Sequence, residues 1–294
     1  MTFATRFAPS PTGPLHLGHA FSALTAYDQA RKAKGVFHLR LDDLDVSRSR
    51  AAWAEQIELD LRWLGVCWDG PVWRQSSRLP RYRDALQLLW DRGLLYPCTC
   101  SRADIRAAVA APQEGTPVQG PDGLVYPGTC RPERPPTGPL PQGGALRLDM
   151  ARALACLATP LSFIETGAGP EGETGTIVPR DMTENVGDVV LARPGMGAAY
   201  HLAIVCDDFD QQITHVIRGE DLFDATQIHV LIQRLLGFTS PTYHHHRLIR
   251  DGAGKRLAKR DDARAIETYR ADGIRAFEIR EKLGLAPLNP SSVS

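Results

Sequence analysis

The pattern His16-Leu17-Gly18-His19 sets two imidazoles three residues apart, the spacing that puts side chains on one face of a helix. It follows Pro9-Ser10-Pro11-Thr12-Gly13-Pro14, whose composition predicts a turn. A helix that starts directly after a turn presents unpaired backbone N–H groups to an anion, so this is a candidate phosphate site. Each imidazole can donate to a phosphate oxygen as negative charge develops there. Gly18, lacking a side chain, lets a base or ribose approach the backbone. A second cationic feature is Gly254-Lys255-Arg256-Leu257-Ala258-Lys259-Arg260. Residues 247–264 carry seven Lys or Arg against three Asp, a local net of +4 that suits a triphosphate. Charge runs are ordinarily solvated faces, and it is the histidine pattern that favours phosphate contact here. A third feature is chemically separate. Cys98-Thr99-Cys100 and Cys130 offer three soft thiolates, which suit zinc. A closed tetrahedral site needs a fourth ligand, and spacing alone does not choose it.

Hydrophobic periodicity predicts the scaffold that must hold these groups. Residues 5–9 read as a short strand, a helix runs from about residue 17 to Gly35, and residues 36–41 alternate as a strand. Trp53, Ile57, Leu61 and Leu64 recur at helical spacing, and a further helix is predicted around residues 82–90. Strand, crossover helix, strand is the unit of a parallel sheet. Residues 111–144 then contain nine Pro and seven Gly, which exclude a long helix or central strand and predict a loop-rich insertion. The α/β rhythm resumes at residues 188–191. Residues 200–206 and 214–217 read as buried strands, 225–236 as a helix, 243–249 as a strand, and 263–283 as a last helical stretch. Asp207 and Asp208 fall at the end of the first of these predicted strands. His244-His245-His246 cannot converge on one metal from a strand, because neighbouring side chains point to opposite faces, and they are read as structural or partner-facing.

The 294 residues are long enough for about two domains. Lys plus Arg equals Asp plus Glu at 34 each, which excludes a polycation that holds nucleic acid by bulk charge. No apolar window reaches the length of a membrane span, the first ten residues lack the core of a signal peptide, and six cysteines suit reduced thiols or metal ligands. A cytoplasmic, monomeric protein is expected.

Several of these motifs together carry a resemblance. Arg6-Phe7-Ala8-Pro9-Ser10-Pro11-Thr12-Gly13 followed by the histidine pattern resembles the opening of class I glutamyl-tRNA synthetases. Arg40-Leu41-Asp42-Asp43-Leu44-Asp45, Tyr200-His201-Leu202-Ala203 through Asp208, and the run from Thr214 to Asp221 resemble later parts of the same catalytic domain, in the same order. The resemblance spans roughly residues 3–280. It implies a Rossmann-like parallel-sheet α/β catalytic domain, with a first half at 1–95, a zinc-containing insertion at 96–187, and a second half at 188–240. A basic ATP-contacting loop and short helical appendage would occupy 241–294. Tyr126-x-x-x-Cys130 is similar to the zinc site of glutamyl-Q tRNA(Asp) synthetases, truncated paralogues of that family, and implies Tyr126 as the fourth ligand beside Cys98, Cys100 and Cys130. Only about thirty-five residues follow Lys259, too few for an anticodon-reading module, which points to the same branch.

The resemblance also implies roles. Arg6, Tyr200 and Arg218 would hold the side-chain carboxylate of L-glutamate, Ser10 and Asp42 would face its amino group, and Phe7, Ala8 and Pro9 would complete the wall. His16, Gly18, His19 and Lys259 would bind ATP with Mg2+, the two histidines and the lysine stabilising charge on the phosphates. Two departures stand out. Asp42 occupies a position usually held by Glu, so a water is expected between it and the ammonium. Arg256-Leu257-Ala258-Lys259 replaces the usual Lys-Met/Leu-Ser-Lys, keeping the final lysine while losing a hydroxyl. The expected reaction is glutamyl-adenylate formation and transfer of glutamate to queuosine in the anticodon loop of tRNA(Asp), a tRNA modification. The rival expectations are a minimal synthetase charging a tRNA 3′ end and a catalytically silent paralogue.

Overall fold

A computed structural model describes residues 2–110, 119–250 and 264–287. The first part alternates strand and helix: β1 (Ala4–Phe7), α1 (Leu17–Lys32), β2 (Val36–Leu41), α2 (Ala51–Trp63), β3 (Trp73–Arg74) and α3 (Leu79–Asp91). A middle part follows, with β4 (Leu95–Cys98), α4 (Arg102–Ala110), β5 (Gln119–Gly120), β6 (Gly123–Leu124), β7 (Ala145–Leu148), α5 (Met150–Ala155), β8 (Phe163–Glu165), β9 (Gly175–Ile177) and α6 (Met182–Asn185). The last part comprises β10 (Val190–Ala192), α7 (Tyr200–Asp210), β11 (His215–Gly219), α8 (Thr226–Leu236), β12 (Thr242–His246), α9 (Ile266–Ala271) and α10 (Ala276–Lys282).

Strands β1 and β3 flank β2 in parallel, and β12 lies parallel between β11 and β8, with β9 antiparallel at the edge. The two groups meet at a seam. Thr214, just before β11, donates its N–H to the Ala4 carbonyl at 2.9 Å, and its Oγ1 accepts from Ala4 N at 2.8 Å. The hydroxyl thus stands in for a ladder bond, giving the strand order β3-β2-β1-β11-β12-β8. Ladder hydrogen bonds leave only side chains to be satisfied, so β2 buries Phe37, Leu39 and Leu41 completely beneath the helices. A smaller antiparallel sheet, β10-β7-β4, carries the Pro/Gly-rich segment.

One apolar cluster joins α1, α2 and β2 to the appendage through Leu24, Tyr27, Ile57, Leu61, Ile266 and Ile279. Another joins α3, α7, α8 and the smaller sheet through Tyr82, Leu89, Leu148, Leu202, Leu231 and Tyr243. No helix among the described residues is long and apolar enough to cross a membrane.

Three expectations change. Residues 200–206 form the front of helix α7 rather than a strand. Eight successive buried positions, His201 to Asp208, give no period to distinguish the two, because α7 is covered on nearly every side. Asp207 and Asp208 therefore lie within a helix rather than ending a strand. The last helical stretch is two short helices, α9 and α10, parted at Gly273, whose φ of +78° a side chain would resist. Finally, β8 and β9, from within the predicted insertion, extend the large sheet, while β10 joins the small one.

Candidate active site

The histidine pattern opens α1 as its spacing predicts. His16 is extended at φ −124°, ψ 177° and caps the helix, its Nδ1 accepting from Gly18 N at 3.1 Å. The Nδ1 of His19 accepts from His16 N at 3.3 Å. An imidazole nitrogen that accepts carries no proton, so in both neutral rings the proton sits on Nε2. The rings stack with centroids 3.8 Å apart. Two Nε2–H donors and a helix N-terminus therefore occupy one corner of a cleft of about 440 Å3.

That cleft lies where β1 and β11 end, on the seam between the two halves of the sheet. Its wall includes Arg6, Phe7, Ala8, Pro9 and Ser10 from the end of β1, Gly18 from α1, Tyr200 from α7, and Arg218 from β11. Residues more than two hundred positions apart are thus brought together. Asp42 stands behind this wall, its backbone N–H bonded to the Pro9 carbonyl at 3.0 Å and its carboxylate 3.2 Å from Arg40 Nε. Lys259, with Arg256 and Ala258, lies outside the described residues. The chain leaves the cleft at Ile249 and returns beside His16, where Ala265 bridges it and Ile266 N donates to Leu15 O at 2.8 Å.

Arg6 is held by a buried ionic network. Its Nε donates to Asp208 Oδ1 at 2.9 Å, an atom that also accepts from Arg40 Nη1 at 2.9 Å. Burial works against an ionised Asp208, yet Arg6 and Arg40 hold its carboxyl below the usual range. Arg40 is fully buried and lies between Asp42, Asp207 and Asp208. Asp207 accepts in addition from Arg78 at 2.7 Å, Gln75 at 3.0 Å and the Tyr82 hydroxyl. Burial pushes Asp42 up to about 7, against the pull of Arg40, and Asp207 adds to the rise.

Arg218 is held differently. Its Nε donates to His245 Nε2 at 3.1 Å and its Nη1 to His229 Nδ1 at 3.1 Å. Its Nη2 donates to Leu222 O at 3.2 Å and Thr226 Oγ1 at 2.8 Å. Among the described residues four of its five N–H donors are therefore occupied, which leaves one for a ligand rather than the parallel pair an unengaged guanidinium offers. Burial first, and then the charge of Arg218, drives His229 well below the ordinary histidine value. His229 is thus neutral, with its proton on Nε2, directed at His201 Nδ1 at 3.0 Å. Beyond it, His201 Nε2 lies 3.6 Å from Asp122.

The three predicted thiols also converge. The sulfurs of Cys98, Cys100 and Cys130 lie within 4.8 Å of one another. The Tyr126 hydroxyl lies 3.5 Å from Cys98 Sγ and 3.3 Å from Cys100 Sγ, and accepts from Cys130 N at 2.8 Å. Three soft donors and one oxygen around a common centre fit a zinc ion. Burial pushes the Tyr126 phenol well up, so it is neutral until a cation arrives. The small sheet positions the cluster: Cys98 ends β4, and Tyr126 bridges Gly187.

Sequence reasoning missed the supports. Arg147 donates from Nε to Cys98 Sγ at 3.2 Å and lies 3.7 Å over the Tyr126 ring. Asp188 accepts from Arg131 at 2.7 Å, Met150 N at 2.8 Å and the Tyr96 hydroxyl, which ties the insertion to the strand that follows it. Glu165, His229 and His245 around Arg218 were missed as well. The one available signal was the histidine run. It alternates as expected, with His245 buried against Arg218 and His246 in the cleft wall, while His244 meets Thr166 at 3.2 Å.

The comparisons agree with this geometry. The family model described as tRNA synthetases class I (E and Q), catalytic domain, matches residues 2–118 and 177–293. A curated glutamyl-Q tRNA(Asp) synthetase of Rhodobacter capsulatus is 60% identical over 96% of this chain and 99% of its own. One from Geobacter sulfurreducens is 40% identical over 90% of this chain and 78% of its own. The crystal structure of a glutamate tRNA ligase from Elizabethkingia meningosepticum, in complex with its amino acid, superposes with a TM-score of 0.69 at 29% identity. That likeness covers 89% of this chain, which spans about half (52%) of the length of that ligase. A methionyl-tRNA synthetase of Mycobacterium tuberculosis shares the fold, with a TM-score of 0.54 at 13% identity. The chain belongs to the class I tRNA synthetases of the glutamate and glutamine type, in the group whose curated members are named glutamyl-Q tRNA(Asp) synthetases.

Proposed function

We propose that this chain activates L-glutamate with ATP and transfers it to queuosine in the anticodon loop of tRNA(Asp). The observation that carries the reading is the meeting, in one cleft, of phosphate donors (His16, His19 and the start of α1) with carboxylate donors (Arg6 and Arg218). In the first step an α-carboxylate oxygen of glutamate attacks the α-phosphorus of ATP in line, and pyrophosphate leaves. His16 and His19 donate from Nε2 to the phosphates as charge builds, with Lys259 joining them and Mg2+ accompanying the nucleotide. Arg6, Tyr200 and the remaining N–H of Arg218 receive the side-chain carboxylate. Ser10 faces the ammonium, and Asp42, behind the wall, reaches it through water, which favours the ionised form of a carboxyl that burial otherwise protonates near neutrality. In the second step a hydroxyl of the modified base attacks the glutamyl carbonyl, and AMP leaves.

Incubation with labelled glutamate and ATP is expected to label aspartate tRNA that contains queuosine, in its anticodon loop, and to leave the same tRNA without queuosine unlabelled. Label at the 3′ end of glutamate tRNA would overturn the acceptor and favour a minimal synthetase. The absence of glutamate-dependent pyrophosphate exchange would overturn activation itself.

Zinc is the proposed resident metal, held by Cys98, Cys100, Cys130 and Tyr126, and its work is to cross-link a segment with little apolar core. About one zinc per chain is expected on purification, with an X-ray absorption spectrum showing three sulfur neighbours and one oxygen. Tyr126→Phe is expected to weaken retention against a chelator by ~10-fold or more. A four-sulfur spectrum, or unchanged retention in the variant, would remove Tyr126 from the ligand set.

A further inference from the structure

We propose that Glu165 is a positioning residue for substrate selection, acting through His245 to anchor and orient the Arg218 guanidinium at the cleft. The inference rests on the reading that Arg218 receives the glutamate side chain. Glu165 ends β8 with its carboxylate fully buried, and it does not line the cleft. Its Oε1 accepts two backbone bonds, from Gly167 N at 2.7 Å and His245 N at 2.9 Å. Its Oε2 lies 2.5 Å from His245 Nδ1. A carboxylate with three donors around it accepts from each, so His245 carries its proton on Nδ1. The other ring nitrogen, Nε2, is left as an acceptor, and Arg218 Nε fills it at 3.1 Å.

The tautomer of His245 is thereby set from the buried end, and with it the acceptor that anchors the Arg218 guanidinium at the cleft. A Cβ at Gly167 would lie 2.1 Å from the His245 carbonyl, so the β8 turn approaches β12 as closely as only glycine allows. That approach brings the Gly167 and His245 N–H groups to the carboxylate, which holds it facing the imidazole. The receptor beyond it presents an N–H to a ligand, which suits a carboxylate oxygen and leaves the amide N–H groups of glutamine without an acceptor at Arg218.

Glu165→Gln preserves the shape and inverts this logic. The amide oxygen keeps the two backbone donors, and the amide NH2 then faces His245 Nδ1. His245 must accept there and carry its proton on Nε2, donor against donor with Arg218 Nε–H. Glutamate affinity is expected to fall ~10- to 100-fold, the loss of one charge-assisted hydrogen bond. The ATP KM should change by less than about 3-fold, and preference for glutamate over glutamine should narrow. His245→Gln, whose Oε1 can replace the Nε2 acceptor, is expected to retain most of the affinity. His245→Asn, too short to reach, is expected to lose it.

Nitrogen NMR of the unliganded protein provides a readout independent of substrate. It should show the Nδ1–H tautomer of His245 in the parent and the Nε2–H tautomer in Glu165→Gln. Titration calorimetry with glutamate is the binding arm. A parent that does not bind glutamate would overturn the substrate reading, whatever the tautomer. A folded Glu165→Gln protein that binds glutamate as the parent does, or a parent with the Nε2–H tautomer, would overturn the positioning role.

Discussion

Arg40→Met is expected to destabilise the protein by about 3–5 kcal/mol, the cost of removing one partner from a buried ion network. Arg40 is fully buried and touches three carboxylates, and the change does not strand them equally. Asp207 keeps Arg78, Gln75 and Tyr82, and Asp208 keeps Arg6. Asp42 loses the only side chain that donates to it among the described residues. Burial already raises Asp42 to about 7, and removal of the cation raises it further. A carboxyl whose folded pKa is raised favours the folded state at low pH and withdraws that support as pH climbs from about 4 through its folded value. The parent shares that loss up to about pH 7, so the part of the deficit that comes from Asp42 should be small near pH 4 and show at pH 8, above the parent's folded value. Thermal melts at the two pH values test this. At pH 8 the midpoint should drop by roughly 10 °C for a chain of this size, and a second change, Asp42→Asn, should restore part of it. A midpoint within about 2 °C of the parent at pH 8 would mean that the network does not bear on stability.

His16→Asn is expected to lower the rate of glutamate-dependent pyrophosphate exchange by about 10²- to 10³-fold, the usual cost of removing one preorganised donor from a site of developing charge. The substitution separates two roles of one residue. Asparagine is among the best helix caps, so its side-chain oxygen can still accept from Gly18 N and α1 still starts there. What disappears is the imidazole Nε2–H. The effect should appear in kcat with glutamate KM nearly unchanged, because the residues proposed to receive glutamate, Arg6, Tyr200 and Arg218, are left intact. His16→Leu should show the same kinetic loss together with about 1 kcal/mol of destabilisation, since it removes the cap as well. Equal kcat for parent and His16→Asn would reduce His16 to a cap.

The elements that carry a local signal were readable in the sequence. Residues 36–41 form β2 with the bounds their alternation predicts, and α1 begins at its histidine pattern. Helix α7 was not readable, because its residues are covered from several directions and the apolar run lost its period. The cleft shows the same division. Arg6, Ser10, Gly18, His19, Tyr200 and Arg218 were named from motifs and meet in one wall. Their supports were invisible, because Asp208 pairs with a residue 202 positions away and Glu165 with one 80 positions away. A carboxylate that acts only through a tertiary contact has no local spacing to betray it. The three cysteines were legible because they lie in a short stretch of chain, whereas Tyr126 was named only through the resemblance, since spacing does not choose a fourth ligand.

The seam between β1 and β11 has a thermodynamic consequence. Arg6 sits on one side of it and Arg218 on the other, while the strands themselves share one backbone bond and a threonine hydroxyl. A glutamate gripped by both arginines would act as a reversible cross-link between the two halves of the sheet. Its binding energy enters folding directly, by about 2.7 kcal/mol at a hundredfold excess over its dissociation constant. The unfolding midpoint then becomes a gauge of occupancy, and the enzyme in a glutamate-rich compartment is a more stable molecule than the same enzyme washed free of it.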